Sequence, residues 1–383
     1  MVITVFLPFF YNSGCASIFD YLEKRFGLAS RTVLSGVFLF GNVAYSGIML
    51  YTTALVLEFI TGIDVVTAIM IVAVVAVTYT MLGGIAAVIW TDVIQTGILF
   101  LGAFITAFLL VGELPDGLHG TLQSLKEMGK TNPFETTLDP AKVGTIWTGI
   151  VAMSIYHVVV YGVNQMMVQR TLAAKSIGDA KKAYIMMGYV AFFIFFLFFG
   201  LGILFYGYYG GKPFENENLI VLDFVATMGF PGLMGIVTAA IVAASMSSLD
   251  SSLNSMATVT TIDFYEKFFK SGESPEHYLK ASRWFTFGWA VVMVVPAIMF
   301  TKSGGSVIEI LSKIGSFFVG AKLAMFGLGF FSKHTKERGL LIGVAAGFLS
   351  LAYIEFYMDI AWPWYCAIGG AVSTGVGWGA SLL

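Results

Sequence analysis

Residues 239–263 read AAIVAASMSSLDSSLNSMATVTTID. The stretch is long enough to span a bilayer, which takes about 20 mostly apolar residues. Yet its middle carries Ser245, Ser247, Ser248, Asp250, Ser251, Ser252, Asn254 and Ser255. Polar groups at that depth are costly unless they face the bundle interior, a cavity or an ion. Ala244, Ser248, Ser251 and Ser255 fall at i, i+4, i+7 and i+11, one face of a helix. Ser247, Asp250, Ser251 and Asn254 form an overlapping stripe. Oxygen donors in such a row suit a small hard cation. A seam of small residues for close helix packing would explain the serines. It does not explain Asp250, since packing needs no carboxylate.

The rest of the chain agrees with a membrane setting. Of 383 residues 57% are hydrophobic and 11% charged, with mean hydropathy +0.84, which describes an all-α polytopic membrane protein. A net charge of -2 leaves no basic footprint for nucleic acid. Cys15 and Cys366 form no disulfide framework. Residues 1–11 are apolar but make only half a span. About ten spans follow, at 29–61, 65–82, 85–111, 143–168, 183–209, 228–261, 285–300, 307–331, 340–357 and 362–383. One alternate set of loops carries 14 Lys and Arg and the other carries 5. The first set, with Arg25, Arg31, Arg170, Lys267 and Lys336, is therefore expected on the cytoplasmic side, and the C-terminus with it.

Few polar residues lie inside the spans, and each is a functional candidate. Asp92 sits about 12 Å deep in its span at 1.5 Å per residue. Asp250 and Ser251 lie about 15 to 20 Å from the cytoplasmic end of theirs, so the carboxylates reach similar levels. The span at 143–168 carries IYHVVVYGVNQMMVQR. There His157, Tyr161, Asn164 and Gln165 surround Gly162, where a discontinuous helix can open its backbone to a ligand. A plain hydrogen bond from His157 to a neighbouring helix is the blander alternative. Asn42, Tyr45, Ser46, Tyr51 and Glu58 are the polar groups of the first full span. Lys313 and Lys322 read as snorkelling side chains, with a gate as the other reading. No nucleotide loop, metal-spaced Cys/His cluster or nucleophile elbow is present. That argues against an enzyme and an ATP-driven pump, but not against a channel.

Four segments, LSKIGSFFVGAK, YGVNQMMVQRTLAAKS, AAVIWTDVIQ and SSLDSSLNSMATVTTIDFY, together resemble the sodium:solute symporter family. The resemblance runs along essentially the whole chain. It implies two inverted five-helix repeats with broken central helices. Residues 1–11 then end core helix two, 29–111 complete the first repeat, 143–331 form the second, and 340–383 add two helices. Core helix one of the family pattern is expected to be missing from this sequence. The resemblance implies a sodium site at Ala244, Ser247 and Ser248, and a possible second cation site at Asp92, Asp250 and Ser251. Asp250 and Ser251 stand where some members have two serines. Tyr45 and His157 replace sugar-contacting asparagines, and Val160 replaces an aromatic gate, so the monocarboxylate, vitamin and iodide branch is nearer than the sugar carriers. Tyr45, His157, Tyr161, Asn164 and Gln165 are the expected solute contacts. The expected activity is sodium-coupled import of a monocarboxylate-like anion or a sugar across the plasma membrane, with Na+ as coupling ion and no other cofactor. A non-transporting sensor or sodium-gated channel is the alternative.

Overall fold

The computed structural model describes residues 1–383 except Ala16, Pro133, Ala173, Pro231 and 303–305. It does not describe the side chains of Tyr79, 82–89, Gln169, Arg170 and Leu172. Among the described residues the chain is helical, without strands. A π-helical turn, Val2–Phe6, leads into α1 (Leu7–Asn12), and α2 (Ile18–Arg25) follows. Ser17 caps α2 by accepting from the Asp20 amide, which satisfies a donor that the first turn leaves open. Between α2 and α3 (Leu28–Thr61) stands Gly27 at φ +139°. That backbone conformation favours glycine, and a Cβ there would displace the Glu337 carboxylate, whose Oε1 lies 2.6 Å from its position.

Asp64 caps α4 (Val65–Gly112), its carboxylate accepting from the Thr67 amide. This helix runs unbroken where two spans were expected. Its 48 residues would reach about 72 Å if straight, more than twice a hydrocarbon core of about 30 Å. Two apolar stretches, Val65–Thr78 and Trp90–Gly112, flank its middle. The short α5 (Gly117–Glu127) comes next.

The span expected at 143–168 is broken. A π-helical stretch Thr148–Ala152 runs into α6 (Met153–Gly162); Val163 leaves helical geometry at φ -135°, and α7 (Gln165–Leu172) restarts the helix. The remaining helices are α8 (Ile177–Tyr208), α9 (Ile220–Met228), α10 (Leu233–Val259), α11 (Pro275–Phe300), α12 (Val307–Phe331), α13 (Glu337–Tyr357) and α14 (Pro363–Leu382). The serine-rich α10 continues as a π-helix over Thr260–Phe269. Among the described residues seven stretches are long and apolar enough to cross a membrane, fewer than the ten expected. The first part of α4 and the stretch Thr148–Gly162 are too short to count, and the Gly- and Ser-rich α14 is not among the seven.

Helices α3, α4, α10 and α11 pack on one another around Leu34, Phe38, Leu50, Ala76, Leu249, Leu253 and Met293. An aromatic plug closes the end of the bundle that carries the basic loops. Phe330 of α12 meets Phe9 at 4.5 Å, Tyr21 at 5.2 Å and Phe6 at 5.4 Å between ring centroids. Helices α13 and α14 touch backbone to backbone, with Gly339, Gly343 and Gly347 against Gly369, Ser373 and Gly377. A Cβ on Gly343 would lie 2.3 Å from the Ser373 carbonyl oxygen and 2.6 Å from the Gly377 Cα. Backbone cannot yield as a side chain can. Gly343→Ala is therefore expected to destabilise the protein by about 2 kcal/mol through overpacking. Gly375→Ala, which meets nothing within 4 Å, is expected to be neutral. Thermal unfolding of the two variants in detergent checks the contrast.

Candidate functional site

The polar face of α10 is met by α4 on one side and α3 on the other. Ser247 donates its hydroxyl hydrogen to Asp92 Oδ1 of α4. Thr80, also on α4, donates to Oδ1 of the wholly buried Asp250 at 3.3 Å. Ser247 and Asp250 are one turn apart on α10, about 4.5 Å of rise. Asp92 of α4 thus meets α10 one turn from Asp250. Ala244 and Ser248 are partly exposed on α10, and Ser251 is buried.

The α3 side was not paired in the sequence. Ser46 donates to the Ser252 hydroxyl at 2.7 Å, and Ser252 donates to Asn42 Oδ1 at 3.1 Å. The Asn42 amide in turn donates to the Phe38 carbonyl at 2.8 Å. Asn42 and Ser46 stand at i and i+4 and so share a face of α3. That spacing was the available signal, since a buried face with two polar groups needs a partner helix that offers more of them.

At the helix break, the sequence-predicted residues cluster but serve different ends. His157 Nδ1 lies 2.8 Å from the Met153 carbonyl oxygen on its own helix, not on a neighbouring one. Its ring stacks on Tyr161 at 5.6 Å and 9° and meets Tyr156 edge-on at 5.5 Å. The Tyr156 hydroxyl occupies the space a Cβ on Gly315 of α12 would need, 2.8 Å away. Tyr45 is close enough to Tyr156 to interact electrostatically. The Tyr161 carbonyl, freed by the break, accepts from Tyr184 at 2.9 Å. Asn164 caps α7, its Oδ1 accepting from the Met166 amide at 3.2 Å. Gln165 is buried, and its Oε1 accepts from the Ile18 amide at 3.2 Å, which fastens α7 to α2. The Asn164 and Gln165 oxygens are thus engaged in holding the fold, while Tyr45, His157 and Tyr161 cluster with Tyr156 at the break.

The basic end carries an ion-pair network. Arg31 of α3, almost fully buried, donates from Nε to Asp263 Oδ1 at 2.7 Å and also pairs with Glu23 of α2. Ser35 donates to Asp263 Oδ2 at 3.1 Å, and Lys267 reaches Glu23 at 2.9 Å. Asp263 and Lys267 both lie on the π-helical continuation of α10. Burial pushes the Glu23 carboxyl up, but hydrogen bonds from Lys267 and Arg31 outweigh that and hold it below its ordinary value. A carboxylate held down in this way adds stability above its unfolded pKa and loses it as pH falls through the folded one. The contacts of Glu23 with Lys267 and Arg31 are thus intact at neutral pH and are lost only in acid, below the ordinary glutamate range.

The family profile that matches this chain is that of the sodium:solute symporter family, over residues 1–347. The chain belongs to the sodium:solute symporter family. Among curated relatives it is 31% identical over 366 residues to a sodium-dependent multivitamin transporter of Oryctolagus cuniculus, covering 91% of this chain and 56% of that one. It is 30% identical over 358 residues to the sodium-coupled monocarboxylate transporter 1 of Homo sapiens, covering 90% and 57%. The chain thus spans a little over half the length of these relatives. A solved substrate-bound, outward-open structure of a Na+-coupled sialic acid symporter superposes with TM-score 0.87 at 26% identity, covering 100% of this chain and 80% of that chain. The inverted-repeat transporter fold expected from the sequence is the fold of that structure.

Breaking a buried ion pair by removing one partner leaves an uncompensated charge. Asp263→Asn is expected to destabilise the protein by about 3 kcal/mol on that ground. The apolar double variant Arg31→Met with Asp263→Leu is expected to recover most of that loss. Unfolding midpoints of both variants at neutral pH check the pair.

Proposed function

We propose that this chain forms the translocating core of a sodium-coupled symporter that imports a small organic solute by alternating access. A monocarboxylate-like anion is the favoured solute and a sugar the second. The observation that carries the sodium reading is the hydrogen bond from Ser247 to Asp92. A hydroxyl has one hydrogen and two lone pairs. Once the hydrogen points to a carboxylate, both lone pairs are free for a cation, and the nearby carboxylate charge favours that cation.

The sodium ion is held by the Ala244 carbonyl and the Ser247 and Ser248 hydroxyls. Ala244 and Ser248 share a face of α10 and are the less enclosed members of the stripe. Asp92, Asp250 and Ser251 supply the second cation position, with Thr80 orienting the Asp250 carboxylate. Hard oxygen donors suit such an ion, and among the described residues no three His, Cys, Asp or Glu gather as a transition-metal cluster would need. The solute lies against Tyr45, His157 and Tyr161, with Asn164 and Gln165 shaping the break beside it. Two relatives named for monocarboxylates and vitamins support the anionic choice. The basic end faces the cytoplasm of a plasma membrane, with the C-terminus on that side. Residues 29–111 and 143–331 form the two repeats. Sodium drives uptake by binding the outward-facing and inward-facing states unequally, since only differential affinity shifts such an equilibrium.

The decisive experiment puts the full-length protein into proteoliposomes and follows labelled lactate and glucose. Uphill accumulation with an inward sodium gradient, and none with potassium, is the expected result. Accumulation that ignores sodium would sink the reading. Ser248→Ala is expected to raise the half-saturating sodium concentration about tenfold, the worth of one contact to a charge, with solute preference unchanged. Asp250→Ser is expected to change the coupling ratio or the pH dependence of uptake.

A further inference from the structure

Lys322 is the one lysine buried within the described bundle, 7% exposed. It sits midway along α12, 15 residues after Val307 and 9 before Phe331, and it does not snorkel as the sequence suggested. Its ammonium lies 5.7 Å from the centroid of the Phe38 ring on α3. Among the described residues it makes no hydrogen bond and pairs with no carboxylate. Lys313, on the same helix, is paired with Glu355 at 2.6 Å. A lone ammonium in a low-dielectric interior is costly. A cation–π contact returns about 2 kcal/mol even when desolvated, which leaves most of that cost standing.

The position of Lys322 shows what would meet it. Gly315, seven residues earlier on α12, faces the Tyr156 hydroxyl in the aromatic cluster around His157. Phe326, one turn later, packs on Phe10 and Tyr21 in the plug at the basic end. Lys322 therefore lies between the solute cluster and the plug, on one face of α12. Phe38 is also tied through its carbonyl to Asn42, and through Asn42 to Ser252 of α10. Phe38 thus meets the cation with its ring and the polar network of α10 with its backbone carbonyl.

We propose that Lys322 is an inner anion-binding group, which receives the carboxylate of the solute after it leaves the Tyr45–His157–Tyr161 cluster and before it passes the plug. This rests on the anionic reading of the solute given above. An ammonium with three donors satisfies a carboxylate oxygen without fixed fork geometry, which suits a station that must also let go. The lysine selects anionic over neutral solutes of like size.

The test uses full-length protein with lactate as probe, comparing Lys322→Met, Lys322→Gln and Lys322→Arg. Loss of a charge-assisted contact predicts a rise in half-saturating lactate of about tenfold or more for Met and Gln, and about threefold or less for Arg. Half-saturating sodium stays unchanged. The ligand-free Lys322→Met protein is expected to unfold at a higher temperature than the parent, because a buried unpaired charge has been removed. Lactate uptake by Lys322→Met equal to the parent's would overturn the proposal. So would a loss of uptake that comes with a lower unfolding temperature, which marks a structural lysine. Replacing chloride by gluconate separates the occupants: parent uptake that falls without chloride, with Lys322→Met indifferent, assigns the site to chloride and also overturns it. Should the parent fail to transport lactate, the transport reading fails by itself. Lactate-induced thermal stabilisation then decides on Lys322: a shift in the parent that Lys322→Met lacks supports the proposal, and no shift in the parent overturns it.

Discussion

Hydrocarbon offers a polar group no partner, and this constraint organises the whole bundle. Helix α10 and its π-helical continuation bring serines, threonines, an asparagine and the carboxylates of Asp250 and Asp263 into that medium, and each neighbour answers part of the demand. Helix α4 supplies Thr80 and Asp92; α3 supplies Arg31, Ser35, Asn42 and Ser46. These contacts are directional, so they fix rotation as well as proximity. Apolar packing alone distinguishes poorly between neighbouring rotations of a helix that is greasy on every side. The polar contacts thus define which face of α10 looks where, and through that where the oxygens of the proposed cation site point.

Much of this was legible in the sequence, and what was not had a common cause. Depth can be counted along a helix from its end, so Asp92 and Asp250 were expected at similar levels, and Asp92 meets α10 at Ser247, one turn from Asp250. The break after Gly162 was marked by glycine beside polar side chains in an otherwise apolar run. Rotation about the helix axis relative to another helix cannot be counted in that way. Ser252 with Asn42 and Ser46, and Arg31 with Asp263, were therefore seen as separate polar residues and not as partners. Gln165 was expected beside the solute; that its oxygen also fastens α2 was not legible, because a motif does not show which backbone amide a side chain meets. Lys322 failed the snorkelling expectation for a geometric reason. That rule serves helix ends, and a lysine in the middle of α12 cannot reach water from there.

The two ends of α10 have different mechanical characters. Through its middle it is a regular helix stapled on both sides by hydrogen bonds. Beyond Val259 it widens into a π-helix that carries Asp263 and Lys267 into the ion network with α2 and α3. A π-helical segment has poorer backbone geometry than an α-helix and recurs at functional places. Here the weaker backbone coincides with the stronger side-chain bonds. The α-helical part carries the groups of the proposed cation site, while the π-helical part is tied to α2 and α3.

The backbone contact between α13 and α14 bears on how the protein is made. Their glycine and serine edges fit each other closely, and α12 packs on the same edge of α14 through Gly320, Leu323 and Leu328. Small-residue edges of this kind let two helices associate inside a bilayer without help from the hydrophobic effect. The pair can therefore join as a hairpin before meeting α12, and then dock as one piece rather than two. A preassembled pair spares the core from sorting two separately wandering helices.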